Sequence, residues 1–200
     1  MKIKEIFQSV QGEGSYTGCP VVFVRFAGCP VGCSWCDTNY KEGKDMTAEE
    51  VSIEVQKLAT SGIVVITGGE PTAQLPALRE LTKLLHIRGY EVHIETSGYV
   101  DLDYDMFDWI VCSPKPNLNY KVPEYVDELK YVVDENFTPD VIPWHKRSLL
   151  GNKHRIWLQP CDYGKDNPLT KKCLQKALKL VQENSDLRLG MQAHKVWEVE

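Results

Sequence analysis

Ile63-Val64-Val65-Ile66-Thr67-Gly68-Gly69-Glu70-Pro71-Thr72, followed by a helical stretch from Leu75 to Arg88 and by Glu91 to Glu95, decides the fold. Four β-branched residues in a row read as a fully buried strand. Leu78, Leu81, Leu84 and Leu85 mark the apolar face of a helix, and Gly89 suits its C-terminal cap. Glu91 to Glu95 is then the next strand. Strand–helix–strand in this order calls for parallel pairing with a right-handed crossover.

The same unit extends in both directions. Upstream, Val21 to Phe26 reads as a buried strand carrying one charge, Arg25. Ala27 to Asp45 reads as a long loop, and loops of that length in compact domains are usually functional. Thr47-x-x-Glu50 is a capping box opening a helix to about Thr60. Downstream, Trp109 to Cys112, Leu129 to Val133 and Arg155 to Leu158 read as strands. A helix over Leu169 to Glu183 and a closing strand over Leu187 to Gln192 follow. The expectation is an α/β chain, residues 1–200 as one domain, forming an abbreviated parallel β/α barrel of about six core strands and three main helices. A complete eight-stranded barrel takes roughly 250 residues, and this chain has 200. Each core strand ends in Gly, Ser, Thr, Lys or Gln, at the edge where parallel sheets bind ligands.

Composition narrows the partners. With 23 Lys plus Arg against 28 Asp plus Glu, the net charge is −5, which does not suit a coat for nucleic acid. No apolar run approaches the roughly 20 residues that span a bilayer, and Met1 to Glu5 lacks the apolar core of a leader. The expected location is the cytoplasm. Seven cysteines, an odd number, point to metal binding or catalysis rather than disulfides.

Cys29-x3-Cys33-x2-Cys36 gathers three thiols in the long loop. Soft thiolates suit zinc or an iron–sulfur cluster. A closed zinc site wants a fourth ligand, and no Cys or His follows at close spacing. Three thiolates on a 4Fe–4S cluster leave one iron open to a chelating ligand. Cys19, Cys112, Cys161 and Cys173 read as small core residues. His86, His93, His145, His154 and His194 show no ligand spacing and read as structural or surface groups, with His194 ordering the tail.

The thiol spacing, Trp35 before the last Cys, and Gly68-Gly69-Glu70-Pro71 after the next core strand resemble the radical S-adenosylmethionine (SAM) superfamily. Further motifs narrow the resemblance. They are Gln8-Ser9-Val10-Gln11-Gly12-Glu13-Gly14, Cys36-Asp37-Thr38, Glu95-Thr96-Ser97-Gly98, Ser113-Pro114-Lys115, Trp157-x-Gln159-Pro160 and Gln192-x-His194-Lys195. Together they resemble the 7-carboxy-7-deazaguanine synthase family from residue 8 to residue 195.

That resemblance implies a radical SAM lyase of deazapurine biosynthesis. It would use a 4Fe–4S cluster, SAM and Mg²⁺, a pterin substrate, an electron donor such as flavodoxin or ferredoxin, and a homodimeric state. It implies Cys29, Cys33 and Cys36 on the cluster and Thr38 on Mg²⁺. Gln11, Gly12, Glu13, Arg25, Thr67 and the C-terminal carboxylate of Glu200 fall to the substrate. The family usually ends in Pro at that last position. Trp35, Gly69, Glu70, Thr96, Ser97, Ser113, Pro114, Lys115, Gln159, Pro160, Cys161 and Asp162 fall to SAM, with Glu70 accepting from its amino group. Read from the residues alone, Arg25 could equally close an internal ion pair, and the others could be turn residues at strand ends. A glycyl-radical activating enzyme or a non-catalytic iron–sulfur or zinc module are the competing functions.

Overall fold

The computed structural model describes residues 1–144 and 155–199. Nine strands form one sheet: β1 (Lys2–Val10), β2 (Pro20–Phe26), β3 (Lys44–Asp45), β4 (Ile63–Gly68), β5 (Glu91–Thr96), β6 (Trp109–Cys112), β7 (Glu128–Val133), β8 (Ile156–Pro160) and β9 (Leu187–Leu189). Their spatial order is β3-β1-β2-β4-β5-β6-β7-β8-β9. From β2 to β9 every pairing is parallel, and β1 and β3 add antiparallel strands beyond β2.

Among the described residues four α-helices accompany them: α1 (Ala48–Leu58), α2 (Leu75–Ile87), α3 (Pro168–Glu183) and the short α4 (Ala193–Trp197). The capping box forms as the sequence reads, with the Thr47 side chain accepting from the Glu50 N–H and the Glu50 carboxylate accepting from the Thr47 N–H. The three long helices sit in the β3–β4, β4–β5 and β8–β9 connections. The β5–β6 and β6–β7 connections carry only 3-10 turns. The barrel has shed helices there, which is how seven parallel strands fit in 200 residues.

Alternation along the strands divides the molecule into two faces. Val22, Val24 and Phe26 of β2, Val64 and Ile66 of β4, Val92 and Ile94 of β5, and Leu129, Tyr131 and Val133 of β7 point to the helices. They join Val51, Val55, Leu78, Leu81 and Leu85 in one continuous core. Full burial of each such side chain contributes about 1.5–3 kcal/mol as an upper figure. The opposite face carries Arg25, Thr67, Glu95, Val111, Lys130 and Gln159, all bordering one cavity, so the sheet curls around them.

Three strands differ from the sequence reading. β1 and β3 lie beyond the six expected core strands, and the closing strand stops at Leu189. The Gly190 N–H still donates to the Leu158 carbonyl at 2.8 Å, and a Cβ there would collide with the Gln159 side chain.

Candidate active site

The cavity opens at the C-terminal edge of the parallel strands and encloses about 650 Å³. That lies in the usual range for small-molecule sites. Three stretches form its rim: Gln11 to Glu13 after β1, Trp35 to Asn39 in the thiol loop, and Gln192 to Val199 at the C-terminal end.

The thiol loop is anchored at several points. The Gly28 N–H donates to the Tyr40 carbonyl at 2.8 Å, closing the loop at its base. The Glu70 N–H donates to the Gly28 carbonyl at 3.0 Å, tying it to the turn after β4. Asn117 Nδ2 donates to the Val31 carbonyl at 2.9 Å. Gly69 packs so closely on this loop that an added Cβ would collide with the Gly28 carbonyl and press on Cys29 Cβ at 2.9 Å. A Gly69→Ala variant is therefore expected to lose about 1–3 kcal/mol of stability from overpacking. It should also load iron poorly; thermal melting and iron content of the reconstituted protein check both.

Cys36 borders the cavity, while Cys29 and Cys33 sit half-buried behind it. Burial pushes the Cys33 thiol up. The Lys115 ammonium opposes that, and the neighbouring Cys36 and Cys29 add to the rise. Among the described residues no three His, Cys, Asp or Glu side chains converge as ligands of a single metal ion. An iron–sulfur cluster takes soft thiolates, one to each of several irons, and the three free thiols of this loop supply that donor type. Lys115 Nζ donates to the Ser113 carbonyl at 2.8 Å and to its hydroxyl at 2.5 Å, and lies 5.5 Å from the Trp35 ring centroid.

The floor is a charged network. Arg25 Nε donates to Glu5 Oε1 at 2.6 Å, so the internal ion pair open in the sequence reading is present. Glu95 accepts from Gln11 Nε2 at 3.1 Å and from the Thr67 hydroxyl at 3.3 Å. Lys130 pairs with Glu13 and stands 3.8 Å from Glu95 Oε2. Burial raises the Glu13 carboxyl, but Lys130, Gln192 and His194 outweigh it and bring it below its ordinary value. Burial pushes the neighbouring Glu128 up.

The rim is clasped. Lys195 Nζ bridges Asp37 at 2.9 Å and Asp162 at 3.0 Å, joining the thiol loop, the tail and the β8–α3 loop. The Ala193 N–H donates to the Gly12 carbonyl at 2.9 Å, and a Cβ on Gly12 would strike the His194 ring and backbone. The Val199 N–H donates to the His194 carbonyl at 3.1 Å, a backbone bond that closes the tail on α4.

Of the expected site residues, Gln11, Gly12, Glu13, Arg25, Trp35, Cys36, Thr38, Thr67, Gly69, Thr96, Ser97, Ser113, Lys115 and Gln159 border the cavity. Glu70 is a correction: it is wholly buried, and both carboxylate oxygens are taken by Thr72, Thr96 and Ser97. In this arrangement it braces the walls of the cavity. Pro114 and Cys161 are buried beside the cavity without lining it, and Pro160 pairs with Val133 in the sheet. Asp162 is engaged by the Gly164 N–H and Lys195. Glu200, His145 and His154 lie outside the described residues. Sequence reading missed Lys130, although a cation inside the apolar run Leu129–Val133 is the same signal that singled out Arg25. It quoted Asp37, Glu95, Gln192 and Lys195 as motif letters without a role.

A parallel partial barrel with three thiols on the loop after β2 defines a radical SAM enzyme, and the radical SAM superfamily model matches residues 23–134. That class implies a 4Fe–4S cluster and SAM. The chain is 37% identical over 198 residues to 7-carboxy-7-deazaguanine synthase of Bacteroides thetaiotaomicron, covering 99% of this chain and 98% of that one. It is 32% identical to the enzyme of the same name from Escherichia coli K12, covering 96% of both. The crystal structure of QueE from Escherichia coli superimposes with a TM-score of 0.71 at 30% identity, over 96% of this chain and 94% of that one. The chain belongs to the 7-carboxy-7-deazaguanine synthase family. A glycyl-radical activating enzyme and a non-catalytic module are thereby set aside. Among the described residues no helix is long and apolar enough to cross a membrane.

Proposed function

We propose that this protein is a carbon–nitrogen lyase that contracts the ring of 6-carboxy-5,6,7,8-tetrahydropterin to 7-carboxy-7-deazaguanine with loss of ammonia. The observation that carries this reading is one cavity bordered by Gln11, Glu13, Arg25 and Thr67 on one side and by Trp35, Cys36, Ser113, Lys115 and Gln159 on the other. Two small ligands can meet there.

Cys29, Cys33 and Cys36 would hold a 4Fe–4S cluster, which together with SAM would supply the radical chemistry directed at substrate C6. The protein's share is binding and orientation. Gln159 Oε1 is buried with no hydrogen-bond partner, which leaves an acceptor for a donor group of SAM. Glu70 holds Thr96 and Ser97 at the cavity wall. Arg25 spends only Nε on Glu5, so its terminal nitrogens can fork onto the pterin carboxylate. Gln11 and Glu13 match the amide and amine edge of the ring. Thr38 offers a hard oxygen to Mg²⁺, which borrows its other ligands from water and substrate. A homodimer, a cytoplasmic location and reduction by flavodoxin or ferredoxin complete the reading by family likeness.

The test is anaerobic. Reconstituted protein with dithionite, SAM and 6-carboxytetrahydropterin is expected to yield 7-carboxy-7-deazaguanine by mass spectrometry. Deoxyadenosine without the deazapurine would overturn the substrate assignment.

A further inference from the structure

Lys130 is the feature of the cavity that the function above does not use. Its side chain is 12% exposed and projects from the middle of β7 onto the cavity floor. It faces Glu13 from the β1–β2 loop and Glu95 from the end of β5. Glu128 on its own strand, Lys115 beyond β6 and His194 on α4 are the other ionisable groups that act on this cluster. The two carboxylates are 14% and 22% exposed.

Two carboxylates facing one shielded space repel, and without a cation one takes up a proton. A protonated carboxyl then presents O–H where a ligand's N–H needs an acceptor. An ammonium between them removes that conflict. Lysine suits the place because its three donors point in different directions and can serve carboxylates from separate segments. Gln11 reinforces the arrangement by donating to Glu95 Oε1 while its own oxygen accepts from the Glu13 N–H at 3.2 Å. Glu13, Gln11, Glu95 and Lys130 thus form one connected set across two strands and a loop.

We propose that Lys130 is a positioning residue that holds the Glu13 and Glu95 carboxylates as a paired acceptor for the amino- and amide-bearing edge of the substrate ring. This rests on the substrate reading above. Lys130 itself transfers no proton in this role.

Lys130→Met removes the charge and keeps most of the volume, and Lys130→Arg restores the charge. In the methionine variant, KM for the pterin is expected to rise at least tenfold. The acidic limb of its kcat/KM profile should move to higher pH by about one unit, because one carboxyl must now be deprotonated without help. Cluster absorbance and deoxyadenosine formation without pterin should stay near wild type. The arginine variant should return the acidic limb to its original place while KM remains raised severalfold. A merely structural lysine predicts a lower melting temperature with KM and pH profile unmoved, and that result would overturn the proposal. If the methionine variant does not fold, the arginine variant decides, and a wild-type KM there counts against the role. Wild-type protein that makes no deazaguanine would overturn the substrate reading and this proposal together. Product from the wild type with an unaltered Lys130→Met overturns this proposal alone.

Discussion

Cys33→Ala protein, reconstituted anaerobically with iron and sulfide, is expected to lack the visible iron–sulfur absorbance of the wild type and to form neither deoxyadenosine nor deazaguanine. Cys33 is the middle thiol of the loop, half-buried between Cys29 and Cys36 and close to Lys115. Two thiols remain in the variant, too few to hold the cluster with one open iron. The loss should be complete, because no cysteine among the described residues stands in reserve. Cys112 and Cys173 are buried in packed elements, Cys161 is buried with its N–H on the Val133 carbonyl, and Cys19 packs against Val21, Phe23 and Val65. The fold should survive. Removing one sulfur from a loop side chain costs about 0.5 kcal/mol or less, and the loop keeps its anchors at Gly28, Tyr40 and Asn117. Cys112→Ala is the matched control. It is expected to cost about 1 kcal/mol of packing in the core and to retain cluster and turnover. Turnover in Cys33→Ala above a few per cent of wild type would sink the cluster assignment.

What could be read from the residues depended on how local the cause was. The strands β2, β4 and β5 and the helices α1 and α2 announce themselves through β-branched runs, leucine spacing and a capping box, all local signals. β1 gave no such signal. Its register slips between Ile3 and Glu5, which breaks the alternation of period two. Its Glu5 lies on the cavity face because Arg25 of β2 waits there. The cavity residues were legible as strand ends and motif letters, but their partners were not. Lys130 meets Glu13 across 117 positions of sequence, and Lys195 meets Asp37 across 158. Glu70 shows the limit most clearly. The letters Gly-Gly-Glu-Pro mark a turn at the mouth of the site, yet nothing in them says which way the carboxylate points.

That direction sets the second large effect: Glu70→Gln is expected to destabilise the protein by about 2–3 kcal/mol. Oε1 accepts from the Thr72 N–H at 3.0 Å and from the Thr72 and Thr96 hydroxyls at 2.7 Å each. Oε2 accepts from the Ser97 N–H at 2.8 Å and from the Ser97 hydroxyl. A glutamine has the same shape but only one oxygen. Whichever way the amide turns, its NH₂ meets a backbone N–H, that of Thr72 or that of Ser97. The hydroxyls can rotate to accept, whereas a backbone N–H cannot. One buried donor therefore stays unpaired in either orientation. For a chain of this size the melting temperature should fall by roughly 4–12 °C. Glu70→Ala should be worse, because it strips every one of these donors at once and leaves a void. The functional consequence follows from position. Gly69, Thr96 and Ser97 border the cavity, and Glu70 is the group that holds the turn after β4 against the end of β5. Glu70→Gln should thus weaken SAM binding along with stability, through the Thr96 and Ser97 that it holds. A variant that melts within 1 °C of wild type and binds SAM normally would show that the five donors find other partners.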